Sequence, residues 1–212
     1  MDRPTVRILA AVAGALALAG CGSAESAVVT APAPASSARG YRSAAALPAG
    51  ILQRPVARIR LGDARGGVFD TARLRGRPYA VTFLYSTCPD VCPLIGAELR
   101  AALAALGPDA RRYTVIAVSV DPRHDTAPAV RRWLEAHGEP SNFHYLIGRE
   151  RELAPVWRAW HVAPQVPGDP RSAHTASIWL VDRHGRLAAI LSAGTAVPTS
   201  DLVYDLRRLA RE

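Results

Sequence analysis

Two apolar runs of strand length, YAVTFLYS at 79–86 and YTVIAVSV at 113–120, flank a helical stripe, and this alternation constrains the fold most. Both runs read as buried strands of a central sheet. Between them, from Pro93 onward, Ile95, Leu99, Leu103 and Leu106 recur on one face of a helix. Proline suits the first helical turn because its missing N–H would be unpaired there. GPD at 107–109 ends the helix.

The pattern continues on both sides. PVARIRLGD (55–63) and GGVFD (66–70) read as a hairpin. DPRHDT (121–126) is a polar turn, and APAVRRWLEAHG (127–138) is a helix closed by Gly138. FHYLIG (143–148) is a short strand, and ERELAPVWRAWHV (150–162) is helical around an awkward Pro155. ASIWLVDRHGRLAAILSAG (176–194) gives two strands about a turn at 183–185, and TSDLVYDLRRLARE (199–212) a last helix with Leu202, Leu206 and Leu209 on one face. A hairpin, then β-α-β-α-β-α, then β-β-α, predicts an α/β fold around a central sheet.

The N-terminus has another character. Arg3 and Arg7 precede ILAAVAGALALAG, an apolar run of 13 residues, too short to span a bilayer as one helix. It runs into LAGC (18–21), which resembles a bacterial lipobox. Residues 1–20 are then a lipoprotein signal peptide and Cys21 is the lipidated first residue of the mature chain. Ordinary signal cleavage is the plainer alternative. Loss of Asp2, Arg3 and Arg7 lowers the net charge from +8 to +7. Residues 21–51, rich in Ala, Ser and Pro, read as a flexible tether, and 52–212 as the folded domain. Both readings put the domain outside the cytoplasm, where thiols tend to oxidise. Lipidation places it on the outer face of the bacterial cytoplasmic membrane.

All 26 basic residues are arginine. They are scattered and do not alternate with aromatics, so the sequence gives no sign of a nucleic-acid groove. A basic surface near anionic lipid headgroups is easier to support.

Cys88 and Cys92 lie in STCPDVCP, directly after a buried strand and at the start of a helix. Backbone N–H groups and the positive helix end favour a thiolate there, while Asp90 opposes it. Flanking prolines restrict the turn. Three roles fit the pair: a structural disulfide, a redox couple, or half of a metal site. A disulfide across so short a loop would stabilise little. A soft ion such as Cu(I) would need a further sulfur or imidazole donor. His124, His137 and His184 fall in turns or at a helix end, and His144 and His161 at element ends. His174, in DPRSAHTAS before an apolar strand, sits in a loop that a thioredoxin-like sheet would turn toward the cysteines. Asp125 is placed to cap the helix that follows it. Asp121, at the end of a buried strand, is a candidate to orient His174 or tune the thiolates.

VTFLYSTCPDVCPL, VIAVSVDPRHDT and SAHTASIWLVDRHGRL together resemble the Sco (SenC) family of copper chaperones, in order and approximate spacing across 52–212. The resemblance implies a thioredoxin-like fold with an extra N-terminal β-hairpin. It implies a copper site, Cu(I) or Cu(II), made of Cys88, Cys92 and His174. It implies delivery of that copper to the CuA centre of cytochrome c oxidase subunit II, with an upstream copper donor or thiol reductant as further partner. The chain departs from the family in its LYST lead into the cysteines and in being lipidated rather than membrane-spanning. Met1 is its only methionine, so a Met-rich copper relay is excluded. The rival expectation is a thiol–disulfide oxidoreductase using Cys88 to attack and Cys92 to resolve. Zinc is chemically compatible with the same donors. Transfer of copper by ligand exchange calls for exposed sulfurs.

Overall fold

Among the described residues seven strands form one sheet in the order β2-β1-β5-β4-β3-β6-β7. The hairpin pairs β1 (Arg60–Asp63) antiparallel with β2 (Val68–Asp70). The two apolar runs become β3 (Tyr79–Leu84) and β4 (Thr114–Ser119), parallel neighbours with every residue buried. Strand β5 (Phe143–Ile147) extends the parallel set beside β4, and β1 closes antiparallel onto it. On the other side β6 (Ser177–Val181) runs antiparallel to β3, and β7 (Leu187–Ser192) antiparallel to β6. The computed structural model describes residues 40–45, 50–164, 176–192 and 197–212. These all belong to one compact unit, Pro34–Glu212.

Among the described residues four α-helices cover the sheet: α1 (Val91–Leu106), α2 (Ala127–Ala136), α3 (Glu150–Ala159) and α4 (Thr199–Leu209). Right-handed crossovers between the parallel strands β3, β4 and β5 put α1 and α2 on one face, and α3 packs on the other. The aromatic contacts agree. Trp133 of α2 meets Phe143 and Tyr145, while Trp160, just past α3, meets Phe83 and Trp179. The predicted stripe of Ile95, Leu99, Leu103 and Leu106 is buried, and α1 also packs against α4. Helix α1 starts two residues earlier than the proline signal suggests, because Asp90 caps it through a hydrogen bond from the Val91 N–H. Helix α3 runs on through Pro155.

The predicted tether ends too late. Gly40–Ala45 already belong to the folded domain. Tyr41 is 0 % exposed and donates through its hydroxyl to Glu212 (2.8 Å). The N–H groups of Arg42 and Ser43 donate to the Asp205 carboxylate at 2.6 and 2.8 Å. Ala44 bridges to Leu191 of β7.

Close packing between α1 and α2 traps a carboxylate. A Cβ on Gly96 would stand 2.7 Å from Glu139 Oε1 and 3.0 Å from the Trp133 ring, so the helices meet where no side chain intervenes. Arg100 is 3.4 Å from Oε1, and Oε2 has no partner among the described residues. Burial pushes the Glu139 carboxyl up to about 7, against the pull of Arg100 and Arg65. A carboxyl whose folded pKa lies above its unfolded value is protonated preferentially in the folded state, so its stabilising contribution is complete at acid pH. That contribution is lost as pH rises through 7. Glu139→Gln should flatten the fall in stability between pH 4 and 8 by on the order of 3 kcal/mol, measured by urea unfolding across that range.

Candidate metal and redox site

The turn between β3 and α1 carries Cys88 to the C-terminal edge of the parallel strands, and Cys92 lies in the first turn of α1. That edge is where open α/β sheets bind ligands. Both cysteines are thiols. The Cys88 N–H donates to the Tyr85 carbonyl (3.2 Å), which closes the turn. The Cys92 N–H then reaches the Cys88 sulfur at 3.4 Å, and an Asp90 carboxylate oxygen lies 3.4 Å from the same sulfur.

These contacts divide the pair unequally. A hydrogen bond from the Cys92 thiol does most to lower the Cys88 pKa, to about 6. Burial opposes it, and the backbone N–H groups of Asp90 and Cys92 and the Tyr85 hydroxyl add to it. The same bond to Cys88, followed by burial, pushes Cys92 up. Asp90, expected only to oppose a thiolate, also supplies one of the donors and caps the helix. Exposure differs from expectation. Cys88 is 5 % exposed and Cys92 0 %, and Tyr85 beside them packs into the core. Alkylation of the apo protein should show one thiol reacting with a midpoint near pH 6 and the other resisting until strongly alkaline pH, with Cys88 identified by peptide mapping.

Asp125 does something other than cap a helix. Thr126 is the cap of α2, its hydroxyl accepting from the Ala129 N–H at 3.3 Å. The buried Asp125 carboxylate instead accepts from the Ser86 N–H (2.8 Å), Ser86 Oγ (2.6 Å), Ser119 Oγ (2.6 Å) and the Tyr145 hydroxyl (3.1 Å). It therefore ties the turn before Cys88 to β4 and β5. Burial pushes its carboxyl up, and these donors pull it back. Asp125→Ala leaves several buried donors without a partner and should cost about 2–4 kcal/mol in chemical unfolding. Ser86, Ser119 and Tyr145 had no signal in the sequence beyond their places in or beside apolar strands.

Asp121 sits on the same edge. Its carboxylate meets His124 Nδ1 at 2.7 Å and accepts from the Arg123 N–H at 3.2 Å, which shapes the DPRHDT turn. Other histidines are engaged elsewhere: His137 with the Trp133 carbonyl and His144 with Asp63, both at 2.7 Å. His174 and Cys21 lie outside the described residues. Among the described residues no three His, Cys, Asp or Glu side chains converge on a point that would hold an ion.

The SCO1/SenC family model matches residues 53–211, the whole of the strand-and-helix region. The chain belongs to the SCO1/SenC family. Protein SenC of Rhodobacter capsulatus is 29% identical over 111 residues, 50% of this chain and 49% of that protein. The copper-bound structure of ScoI from Bradyrhizobium japonicum superposes with a TM-score of 0.63 at 31% identity, covering 74% of this chain and 99% of that one. A SCO1/SenC family lipoprotein from Bacillus anthracis shares the fold, with a TM-score of 0.66 at 21% identity over 78% of this chain and 99% of that one. These likenesses bear out the thioredoxin-like Sco fold, in which the paired thiols of this SCO1/SenC chain sit at the strand-to-helix turn.

Proposed function

We propose that this protein is a copper chaperone that holds its cargo on Cys88, Cys92 and His174. The observation that carries the reading is the hydrogen-bonded contact of two thiols at the mouth of α1, one of them inclined to ionise near neutral pH. Cu(I) favours sulfur donors, and two thiolates with one imidazole suit it; an imidazole also suits Cu(II). Binding expels the second thiol proton, so affinity rises with pH. The copper-bound ScoI, at 31% identity, supports copper as the cargo. Asp121 is a positioning candidate on the same edge, acting through His174 or the turn that holds His124.

Release proceeds by ligand exchange, an acceptor's thiolate entering as one of these leaves. The low exposure of both sulfurs requires the site to open for that exchange. The acceptor we assign is the CuA centre of cytochrome c oxidase subunit II, in keeping with the role the Sco resemblance implies. The LAGC motif supports anchorage through a lipid on Cys21 at the outer face of the cytoplasmic membrane.

A second reading draws on the asymmetry of the pair. A low-pKa Cys88 beside a high-pKa Cys92 is suited to thiol–disulfide exchange, Cys88 attacking a substrate disulfide and Cys92 resolving the mixed disulfide. Such a reaction would keep an acceptor's copper-site cysteines reduced. His174 separates the two readings, since exchange chemistry has no need of it.

Loss of a partner one shell away from a metal costs about 10–100-fold in affinity, so loss of a direct ligand should cost at least the upper figure. His174→Ala should therefore weaken Cu(I) binding roughly 100-fold or more, measured by competition with a chromophoric chelator, and leave the rate of dithiol oxidation near wild type. Unchanged affinity in that variant would defeat the three-ligand site. Loss of copper binding in Cys88→Ser as well, with His174→Ala unaffected, would shift the assignment to a two-thiolate site.

A further inference from the structure

The thiols occupy one end of the sheet, and the other end is built of arginine. Cys88 follows the C-terminal end of β3, whereas Arg75 and Arg77 precede its N-terminal end. Six residues of strand separate the two ends by roughly 20 Å. Strand β6 runs antiparallel to β3, so the β6–β7 turn with Arg183 and Arg186 also falls at the arginine end. The Arg77 guanidinium donates to the Arg111 carbonyl (2.6 Å), which brings in the segment before β4. Burial pushes the Tyr113 phenol up and the charges of Arg112, Arg207 and Arg211 pull against it, so the last turn of α4 reaches the same end.

A cavity of about 590 Å³ opens there, walled by Arg58, Arg75, Arg183, His184 and Arg186 beside Tyr79. The carboxylates nearby are already engaged. Asp70 is paired with Arg58, Asp109 with Arg112, and Asp182 accepts from the His184 and Arg186 N–H groups of the turn. Among the described residues no carboxylate pairs with Arg75, Arg183 or Arg186. An arginine fork matches phosphate oxygens in geometry as well as charge. The chain also enters the domain from this side. A Cβ on Gly40 would stand 3.6 Å from the Arg208 guanidinium, and Arg42 and Ser43 then follow α4 back toward its start.

We propose that this arginine-walled end is a docking face for anionic phospholipid headgroups, on which the domain stands with its thiol pair facing away from the bilayer. Charge complementarity favours that occupant, and so does the entry of the anchored chain at the same end. Only 19 positions separate Cys21 from Gly40, so the domain cannot travel farther than about 65 Å from an anchor at Cys21. Basic residues so close to an anionic surface are held within its field. The proposal rests on the lipid-anchored part of the reading above and is independent of which metal the thiols carry.

Hydrogen–deuterium exchange of the full lipidated chain tests it, in vesicles of phosphatidylcholine alone and with 30% phosphatidylglycerol. The expected result is exchange slowed roughly tenfold or more in peptides covering 72–78 and 182–187, only with phosphatidylglycerol, and restored by 0.5 M NaCl. R75E/R183E/R186E should abolish the protection while its Cu(I) titration and thermal unfolding stay near wild type. Equal exchange in the two vesicles overturns the proposal, as does protection that survives the charge reversal. Protection produced on neutral vesicles by millimolar inorganic phosphate also overturns it and makes the cavity a site for a soluble anion. Intact copper binding alongside any of these results leaves the copper reading standing.

Discussion

The Asp125 carboxylate is the fixed point of the thiol end. It accepts from Ser86 after β3, Ser119 at the end of β4 and Tyr145 in β5, and so binds three parallel strands at the edge where their backbone ladders stop. A carboxylate buried to 4 % exposure is costly to ionise, and four donors offset that cost. Two residues beyond Ser86 the chain reaches Cys88. The position of the sulfur thus depends on a cross-strand network rather than on the turn alone. Trp157 of α3 adds to it from the far face, its indole N–H donating to the Ser119 carbonyl at 2.9 Å.

Once the turn is held, the asymmetry of the thiols follows from position. Cys88 precedes the helix, where the free N–H groups of the first turn point, and it collects hydrogen bonds from Asp90 and Cys92. Cys92 is inside the helix and deeper, and its thiol keeps its proton in the hydrogen bond it donates to Cys88. A single proton shared between two sulfurs resists a second ionisation, and a soft cation relieves that resistance by taking the place of the proton. The same stored proton would serve thiol–disulfide exchange. The two proposed readings, copper holding and electron exchange, therefore draw on one arrangement, and the residues that arrange it suit both.

Where burial imposes a period, the sequence was readable. β3 and β4 are apolar throughout because both faces are covered, and the stripe of α1 recurs at helical spacing because one face is buried. The thiol turn was readable too, since it lies between two such segments. Contacts made by lone residues were not. Gly40–Ala45 sit in an Ala- and Ser-rich stretch without period, held by one aromatic ring, two backbone N–H groups and a bridge that any residue could make. Asp125 and Thr126 are adjacent and both able to cap α2; the choice fell to Thr126 because Ser86, Ser119 and Tyr145 converge on Asp125 from other strands. The low exposure of the sulfurs was hidden for the same reason, because the spacing C-x-x-x-C says nothing of how deeply they are buried.

The separation of thiols from arginines is itself a product of topology. Parallel strands β3, β4 and β5 put their C-terminal ends, with the turns into the helices, on one edge, so chemistry collects there. The opposite edge receives the chain returning from each helix, together with the β6–β7 turn, and is free of the demands of the site. Arginines placed there perturb neither sulfur across roughly 20 Å of packed sheet. With the anchor proposed above, entry on that side would leave the reactive edge open to a partner approaching from the aqueous phase. A domain anchored on the thiol side would have to lift away from the membrane before any exchange of cargo or electrons.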